Sequence, residues 1–200
     1  MLIITDYKAG NVKSIANMLD SFNAEYKISS DKDEILSADA IIFPGQGHFG
    51  QAMEKLNESG LKEAIIEAAT VKKIKFLGIC LGLQILFEKS EEAPNVEGLS
   101  ILKGEVKKFH TGKIPQIGWN NITTTANNSF LTDDYFYFVN SYYVLPKDKN
   151  IVSSYCNYGT DFCASVEFEN ITAVQFHPEK SSDAGKDFFK KWLKNKYTLF

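Results

Sequence analysis

The first half of the chain alternates two hydrophobic rhythms. "MLIITDY" opens as an apolar, β-branched run of strand character, and "NVKSIANMLDSF" then sets Val12, Ile15, Ala16, Leu19 and Phe22 at helical spacing. "EYKISS" and "ADAIIFPG" read as further strands, the second stopped by a Pro-Gly pair. Helical patterns run from Gln51 to Leu56 and from Leu61 to about Val71, followed by the strand "IKFLGI" and a helix beginning near Leu81. Strands alternating with helices predict a mainly parallel sheet covered on both faces.

The pattern changes in the second half. "FYFVNSYYV", "IVSSYCNY" and "FCASVEFENITAVQF" are short aromatic or β-branched runs, with Glu169-Asn170 as a hairpin tip. The aromatic run from Tyr135 to Tyr143 reads as a buried strand with packed rings, not as a base-stacking platform. The charges at Glu88, Lys89, Glu91 and Glu92 read as the solvated face of a helix. "SDAGKDFFKKWLKNK" predicts a closing amphipathic helix that buries Phe188, Phe189, Trp192 and Leu193. No repeat or Pro/Ser-rich linker divides the chain, so residues 1–200 are expected to form a single α/β domain with an antiparallel β extension.

Composition narrows the class. Two hundred residues with 44% hydrophobic content can bury a real core. A net charge of −3, without a Lys/Arg cluster set among aromatics, gives no reason to expect a nucleic acid or a membrane surface as partner. No secretory signal or bilayer-length apolar run is visible. Three cysteines without framework spacing fit a reducing compartment, so a cytoplasmic location is expected.

The chemistry begins at "GICLG". Gly78-Ile79-Cys80-Leu81-Gly82 is G-x-C-x-G between a strand and a helix, the cysteine counterpart of a nucleophile elbow. Cys80 would sit at a helix N-terminus, where free N–H groups favour thiolate, and the backbone N–H of Leu81 would face a developing oxyanion. The pentapeptide alone fits a packed structural cysteine equally well. Cys156 and Cys163 lie in β-like runs without flanking glycines and read as core.

A cysteine nucleophile needs a base and a group to orient it. His110, in a charged stretch, reads as a surface residue, and His48 as a loop residue without an orienting carboxylate. His177 precedes Pro178, which favours an extended His177, and Glu179 two residues on would point the same way and hold the imidazole. Parallel strands would bring Cys80 and His177 to the same sheet edge. The glycine-rich "FPGQGHFG" could turn backbone N–H groups toward an oxyanion. No carboxylate or Cys/His cluster has metal-ligand spacing, so neither a metal nor another cofactor is expected.

"GICLGLQ", "QFHPEKS" and "PGQGHFGQAM" together resemble the class I, triad-type glutamine amidotransferases. With "DYKAGNVKSI", "PQIGWN" and "YFVNSYYV" the likeness extends over nearly the whole chain, toward the glutaminase subunits of imidazole glycerol phosphate synthase. The resemblance implies a flavodoxin-like fold and hydrolysis of L-glutamine by Cys80 as nucleophile, His177 as acid/base and Glu179 as its orienter. It further implies an oxyanion strand at Gly45, Gln46 and Gly47 beside Leu81, and a glutamine site formed by Gln84, Asn140, Ser141 and Tyr142. Asn11, Trp119 and Lys180 match positions facing a (β/α)8 cyclase subunit of HisF type, with which a heterodimer would channel ammonia into histidine biosynthesis. Asn140 stands where the family usually has histidine, and Lys8 where it has glycine. A paralogous subunit feeding a sugar-modifying synthase, a stand-alone γ-glutamyl hydrolase and a non-enzymatic scaffold are the competing readings.

Overall fold

The computed structural model describes residues 1–8 and 11–194. The chain runs through β1 (Leu2–Thr5), α1 (Val12–Asp20), β2 (Tyr26–Ser29), α2 (Lys32–Leu36), β3 (Ala40–Phe43), α3 (Phe49–Ser59), α4 (Leu61–Thr70) and β4 (Lys75–Ile79). It continues with α5 (Leu81–Gln84), β5 (Lys89–Ser90), β6 (Gly104–Lys108), β7 (Gln116–Thr124), β8 (Tyr135–Asn140) and β9 (Tyr142–Pro146). It closes with β10 (Val152–Asn157), β11 (Asp161–Phe168), β12 (Ile171–Val174) and α6 (Ser182–Lys194).

One sheet runs β2-β1-β3-β4-β12-β11-β10-β7-β8, with β9 joining β11 to a β6–β5 branch. The first five strands are parallel and in flavodoxin order; from β12 to β8 the pairing is antiparallel, and in the branch β9 pairs antiparallel with β6 while β5 pairs parallel with it. Strand alternation divides the core between the two faces. Ile3, Ile41 and Phe76 pack with Phe49, Met53 and Leu56 of α3 and with Leu61 and Ile65 of α4. Leu2, Ile4, Ile42 and Leu77 pack on the other face with Ile15 and Leu19 of α1 and with Phe188, Phe189 and Trp192 of α6. Both expectations for the sheet hold, the parallel half and the antiparallel extension.

Several local expectations need correction. "FYFVNSYYV" is not one strand: it breaks at Ser141, because β8 pairs with β7 while β9 pairs with β6 and β11. Nor is it wholly buried. Phe136 and Phe138 face the core, but Tyr135 is 59% exposed. The helix after Cys80 is a single turn, and Glu88 to Glu92 are not a helix face. Glu88 instead accepts from the Gly104 N–H at 2.9 Å, Glu91 from the Lys108 N–H at 2.8 Å and Glu92 from the Phe49 N–H at 2.7 Å. These carboxylates tie loops together. Helix α2 was not anticipated, although its start carries a capping signal: Asp31 Oδ1 accepts from the N–H groups of Asp33 and Glu34. Ala9 and Gly10 of "DYKAGNVKSI", and Asn195 and Lys196 at the end of the expected closing helix, lie outside the described residues.

Lys8 is placed at φ 61, in the left-handed region. That conformation costs a side-chain-bearing residue about 1–2 kcal/mol, which explains why glycine would be usual there. Two contacts hold it: the Lys8 N–H donates to Asp6 at 2.9 Å, and its carbonyl accepts from Lys55 at 2.9 Å.

The C-terminal helix fixes the H-P-E segment. Gly185 of α6 lies so close to it that an added Cβ would sit 1.9 Å from the Pro178 carbonyl. Ser181, just before α6, donates to the His177 carbonyl at 2.6 Å and accepts from the Tyr137 N–H at 2.9 Å. A Gly185→Ala chain should lose about 1–3 kcal/mol of stability in urea titrations. Because α6 must shift away from Pro178, its activity should fall by more than the unfolded fraction accounts for.

Candidate active site

Three adjacent parallel strands carry the site. β3 leads into the glycine-rich loop and β4 into the elbow. β12, hydrogen-bonded directly to β4 with Ile79 opposite Val174, leads into the H-P-E segment. Their C-terminal ends share one edge, so residues far apart in sequence meet there.

Cys80 adopts φ 55, ψ −107. This strained elbow is held by close backbone packing, with an added Cβ on Gly82 lying 2.4 Å from the Phe43 carbonyl and one on Gly45 lying 2.2 Å from the Gly82 nitrogen. The loop after β3 is thereby pressed against the first turn of α5. Leu81 opens that turn, so its N–H has no acceptor within the helix. With only four residues, α5 contributes little macrodipole.

His177 and Glu179 make the expected pair. Their side chains are almost fully buried, and Nδ1 of His177 lies 2.8 Å from a Glu179 oxygen. The geometry differs from expectation, however. His177 is extended, but Glu179 sits in a single 3-10 turn, Pro178–Lys180, which folds the carboxylate back onto the imidazole. Burial works against charge on the ring. The Cys80 sulfur, which also hydrogen-bonds to it, and the Glu179 carboxylate outweigh that and push the His177 pKa up to about 10. The thiols of Cys156 and Cys163 are instead pushed up to about 12 by burial, so neither is an active thiol at neutral pH.

A cleft of about 470 Å³ opens above these groups. Gln46, Gly47, Leu81, Gln84, Asn140, Ser141 and Tyr142 line it together with Cys80 and His177. Gly45 is buried behind the wall, and Glu179 lies under His177. Gln84 donates to the Tyr142 carbonyl at 3.1 Å, and Asn140 donates to the same carbonyl at 3.0 Å, so this turn of chain is fixed from two sides. Lys180 stands on the rim, while Asn11 is occupied as the N-cap of α1, accepting from the Ser14 N–H at 3.2 Å. Trp119 is half exposed and packs edge-on against Tyr137, with ring centroids 6.0 Å apart. His48 caps α3 by accepting from the Gly50 N–H at 3.1 Å and does not line the cleft. Among the described residues no cluster of His, Cys, Asp and Glu could hold a metal ion, and no helix is long and apolar enough to cross a membrane.

The sequence reading missed Glu92, Pro115 and Val139 on the cleft wall. Glu92 is the notable one. Its apparent place on a helix face hid a carboxylate held by the Phe49 N–H at the start of α3. Val139 contributes through its carbonyl, 3.9 Å from the Cys80 sulfur, which no side-chain pattern could reveal.

The raised His177 pKa has a testable sign. Its folded-state value lies above the unfolded one, so the imidazolium contributes stability in full below about pH 6.5 and loses it as pH rises through about 10. Glu179→Gln removes one of the groups that raise it. NMR titration should therefore place the His177 midpoint lower in the variant. The stability gap to the unaltered chain should be widest at the acid end of that window and close above it.

Comparison with known proteins agrees with this geometry. The family model for glutamine amidotransferase class-I matches residues 3–196. Imidazole glycerol phosphate synthase subunit HisH 1 of Methanococcus maripaludis is 43% identical, aligned over 92% of this chain and 95% of that protein. The HisH subunit of Methanothermobacter thermautotrophicus is 42% identical, over 96% and 98%. The chloroplastic imidazole glycerol phosphate synthase hisHF of Arabidopsis thaliana is 41% identical over 96% of this chain, which spans 34% of that longer protein. Among solved structures, a glutamine amidotransferase crystal structure matches with a TM-score of 0.78 at 18% identity, over 96% of this chain and 97% of that one. The structure of PurLQS from Thermotoga maritima matches at 0.75 and 19%, over 98% of each. At such identities the likeness concerns the fold. The sheet order, the cysteine elbow and nearly full-length relatives above 40% identity lead to one conclusion: the chain belongs to the glutamine amidotransferase class-I family.

Proposed function

We propose that this chain is the glutaminase subunit of an imidazole glycerol phosphate synthase, hydrolysing L-glutamine and passing ammonia to a cyclase subunit. The observation that carries the chemistry is the Cys80–His177–Glu179 constellation on the cleft floor. The nearly full-length HisH relatives support the pathway.

In this reading the Cys80 thiolate attacks the side-chain carbonyl carbon of glutamine. The N–H of Leu81, with loop N–H groups at Gly45 to Gly47, stabilises the oxyanion. His177 gives its proton to the departing nitrogen, the C–N bond breaks, and ammonia leaves a γ-glutamyl thioester on Cys80. Water then loses a proton to His177, adds to the thioester and releases glutamate, returning the thiolate. Gln84 and the 140–142 turn hold the amino-acid end of the substrate. Glu92, whose second carboxylate oxygen is not used by the Phe49 N–H, is the acidic group suited to the α-ammonium.

A surface beside the cleft supports a partner. Cross-strand pairs Ile117–Val139, Trp119–Tyr137 and Asn121–Tyr135 present one face of the β7–β8 hairpin. Ile117 is 63% exposed there, Trp119 51% and Tyr135 59%. Val139 belongs to this face and to the cleft wall alike. An acceptor enzyme seated there would receive ammonia before water protonates it. The hisHF relative, of which this chain matches about a third, fits a synthase with a larger remaining part. A heterodimer with a (β/α)8 cyclase follows as the assembly, with Trp119 and Lys180 at the contact.

The deciding experiment is glutamate release from glutamine by the purified chain, with and without a histidine-pathway cyclase subunit and its ribonucleotide substrate. Strong stimulation is expected, together with loss of about a thousandfold or more in Cys80→Ala. Activity indifferent to the cyclase would favour a stand-alone hydrolase, and silence with an alkylatable Cys80 would favour a subunit of another synthase. Glu92→Gln should raise KM for glutamine roughly tenfold to a hundredfold while changing kcat much less, since an ion pair to the α-ammonium acts in ground and transition states alike.

A further inference from the structure

Gln175 has no part in the triad, yet its side chain reaches the nucleophile. It lies just beyond β12 and is fully buried, with its backbone N–H donating to the Ala164 carbonyl at 2.8 Å. Its Oε1 accepts from Gln84 Nε2 at 3.0 Å, and its Nε2 donates to the Cys80 sulfur at 3.6 Å. The direction of this relay is fixed from its far end. The Tyr142 carbonyl can only accept, so the Nε2 edge of Gln84 must face it. The same Nε2 meets Gln175, whose oxygen must therefore point to Gln84 and whose N–H must point to the sulfur. Turning either amide over would set two oxygens or two N–H groups against each other between buried side chains.

An N–H fixed toward sulfur discriminates between its protonation states: a thiolate accepts it fully, and a thiol only weakly. From this geometry we propose that Gln175 positions the Cys80 sulfur for attack and favours its thiolate, with the Tyr142 carbonyl and Gln84 setting the polarity of its amide. The inference rests on the reading of Cys80 as nucleophile. It assigns His177 and Gln175 separate tasks at one atom: His177 moves the proton, while Gln175 holds the sulfur and exchanges nothing. The other titratable groups around the sulfur are Tyr7, whose ionisation is opposed first by burial and then by the Cys80 charge, and Glu179 behind His177. Glu92 and Lys180 line the same cleft. None of these is altered by changing Gln175.

The test is the pH dependence of iodoacetamide alkylation at Cys80, read by mass spectrometry in the full chain. Cys156 and Cys163 serve as buried internal references. Gln175→Met keeps the shape and removes the donor. Gln175→Asn keeps an amide but withdraws it from the sulfur, and serves if the methionine variant does not fold. In either folded variant the alkylation midpoint should rise by about one pH unit. At neutral pH, kcat for glutamine hydrolysis should fall roughly tenfold, with KM changed less than about threefold, as for loss of one hydrogen bond to a charged atom. An unchanged midpoint, or a loss confined to KM, would overturn the inference. Unaltered chain that is fully alkylated at Cys80 yet still releases glutamate would instead overturn the nucleophile assignment, leaving the titration of the Gln175 variants standing as measured.

Discussion

The contact between Gly82 and the carbonyl of Phe43 sets the dimensions of the site. With any side chain at position 82, a carbon would lie 2.4 Å from that oxygen, and the first turn of α5 would have to move away from the loop after β3. The positive φ of Cys80, the approach of Gly45 to the elbow and the place of Gln46 and Gly47 on the same cleft wall as Cys80 all depend on that separation. The other half of the site relies on a similar economy of atoms. Gly185 lets α6 lie directly on Pro178, in the turn that carries His177 and Glu179. Two close backbone approaches, one at each turn, hold Cys80 and His177 together.

The charge arrangement follows from those constraints. A buried imidazole loses hydration on becoming cationic. Sulfur on one side and a carboxylate 2.8 Å away on the other reverse the balance. For Cys156 and Cys163 burial outweighs the contacts that favour charge, and both thiols are held in the neutral form. Burial alone therefore does not make a reactive cysteine. The Cys80 sulfur differs from the other two in what it touches, the His177 ring and the Gln175 amide.

The parts of the fold legible in the sequence were those with a strong period or strong punctuation. β1, β3, β4, α1, α3 and α4 carry continuous apolar runs or helical spacing, and the Glu169-Asn170 tip is realised as the β11–β12 hairpin. The meeting of Cys80, His177 and Glu179 was legible because glycine and proline mark the two turns that carry them. What escaped notice was set by tertiary pairing. Ser141 divides one aromatic run into two strands because their hydrogen-bonding partners differ, and Glu88 to Glu92 look helical while serving distant N–H groups. Gln175 is two positions from His177, but its task depends on a relay through Gln84 to a backbone carbonyl, which no spacing encodes. The Tyr135–Tyr143 run misled in a further way: alternate residues of β8 face the core and the solvent, and its composition alone does not separate the two faces.

β8 ends the sheet, and the way it does so decides what can bind beside it. The outward amide of Tyr137 already donates to Ser181, and its carbonyl already accepts from the His177 N–H at 2.8 Å. The middle of this edge therefore has no free backbone groups with which to recruit another strand. Any protein that covers the hairpin must recognise rings and aliphatic side chains on its face, not extend the sheet by strand addition. Such recognition is selective through shape, and it leaves the backbone that steadies the imidazole undisturbed.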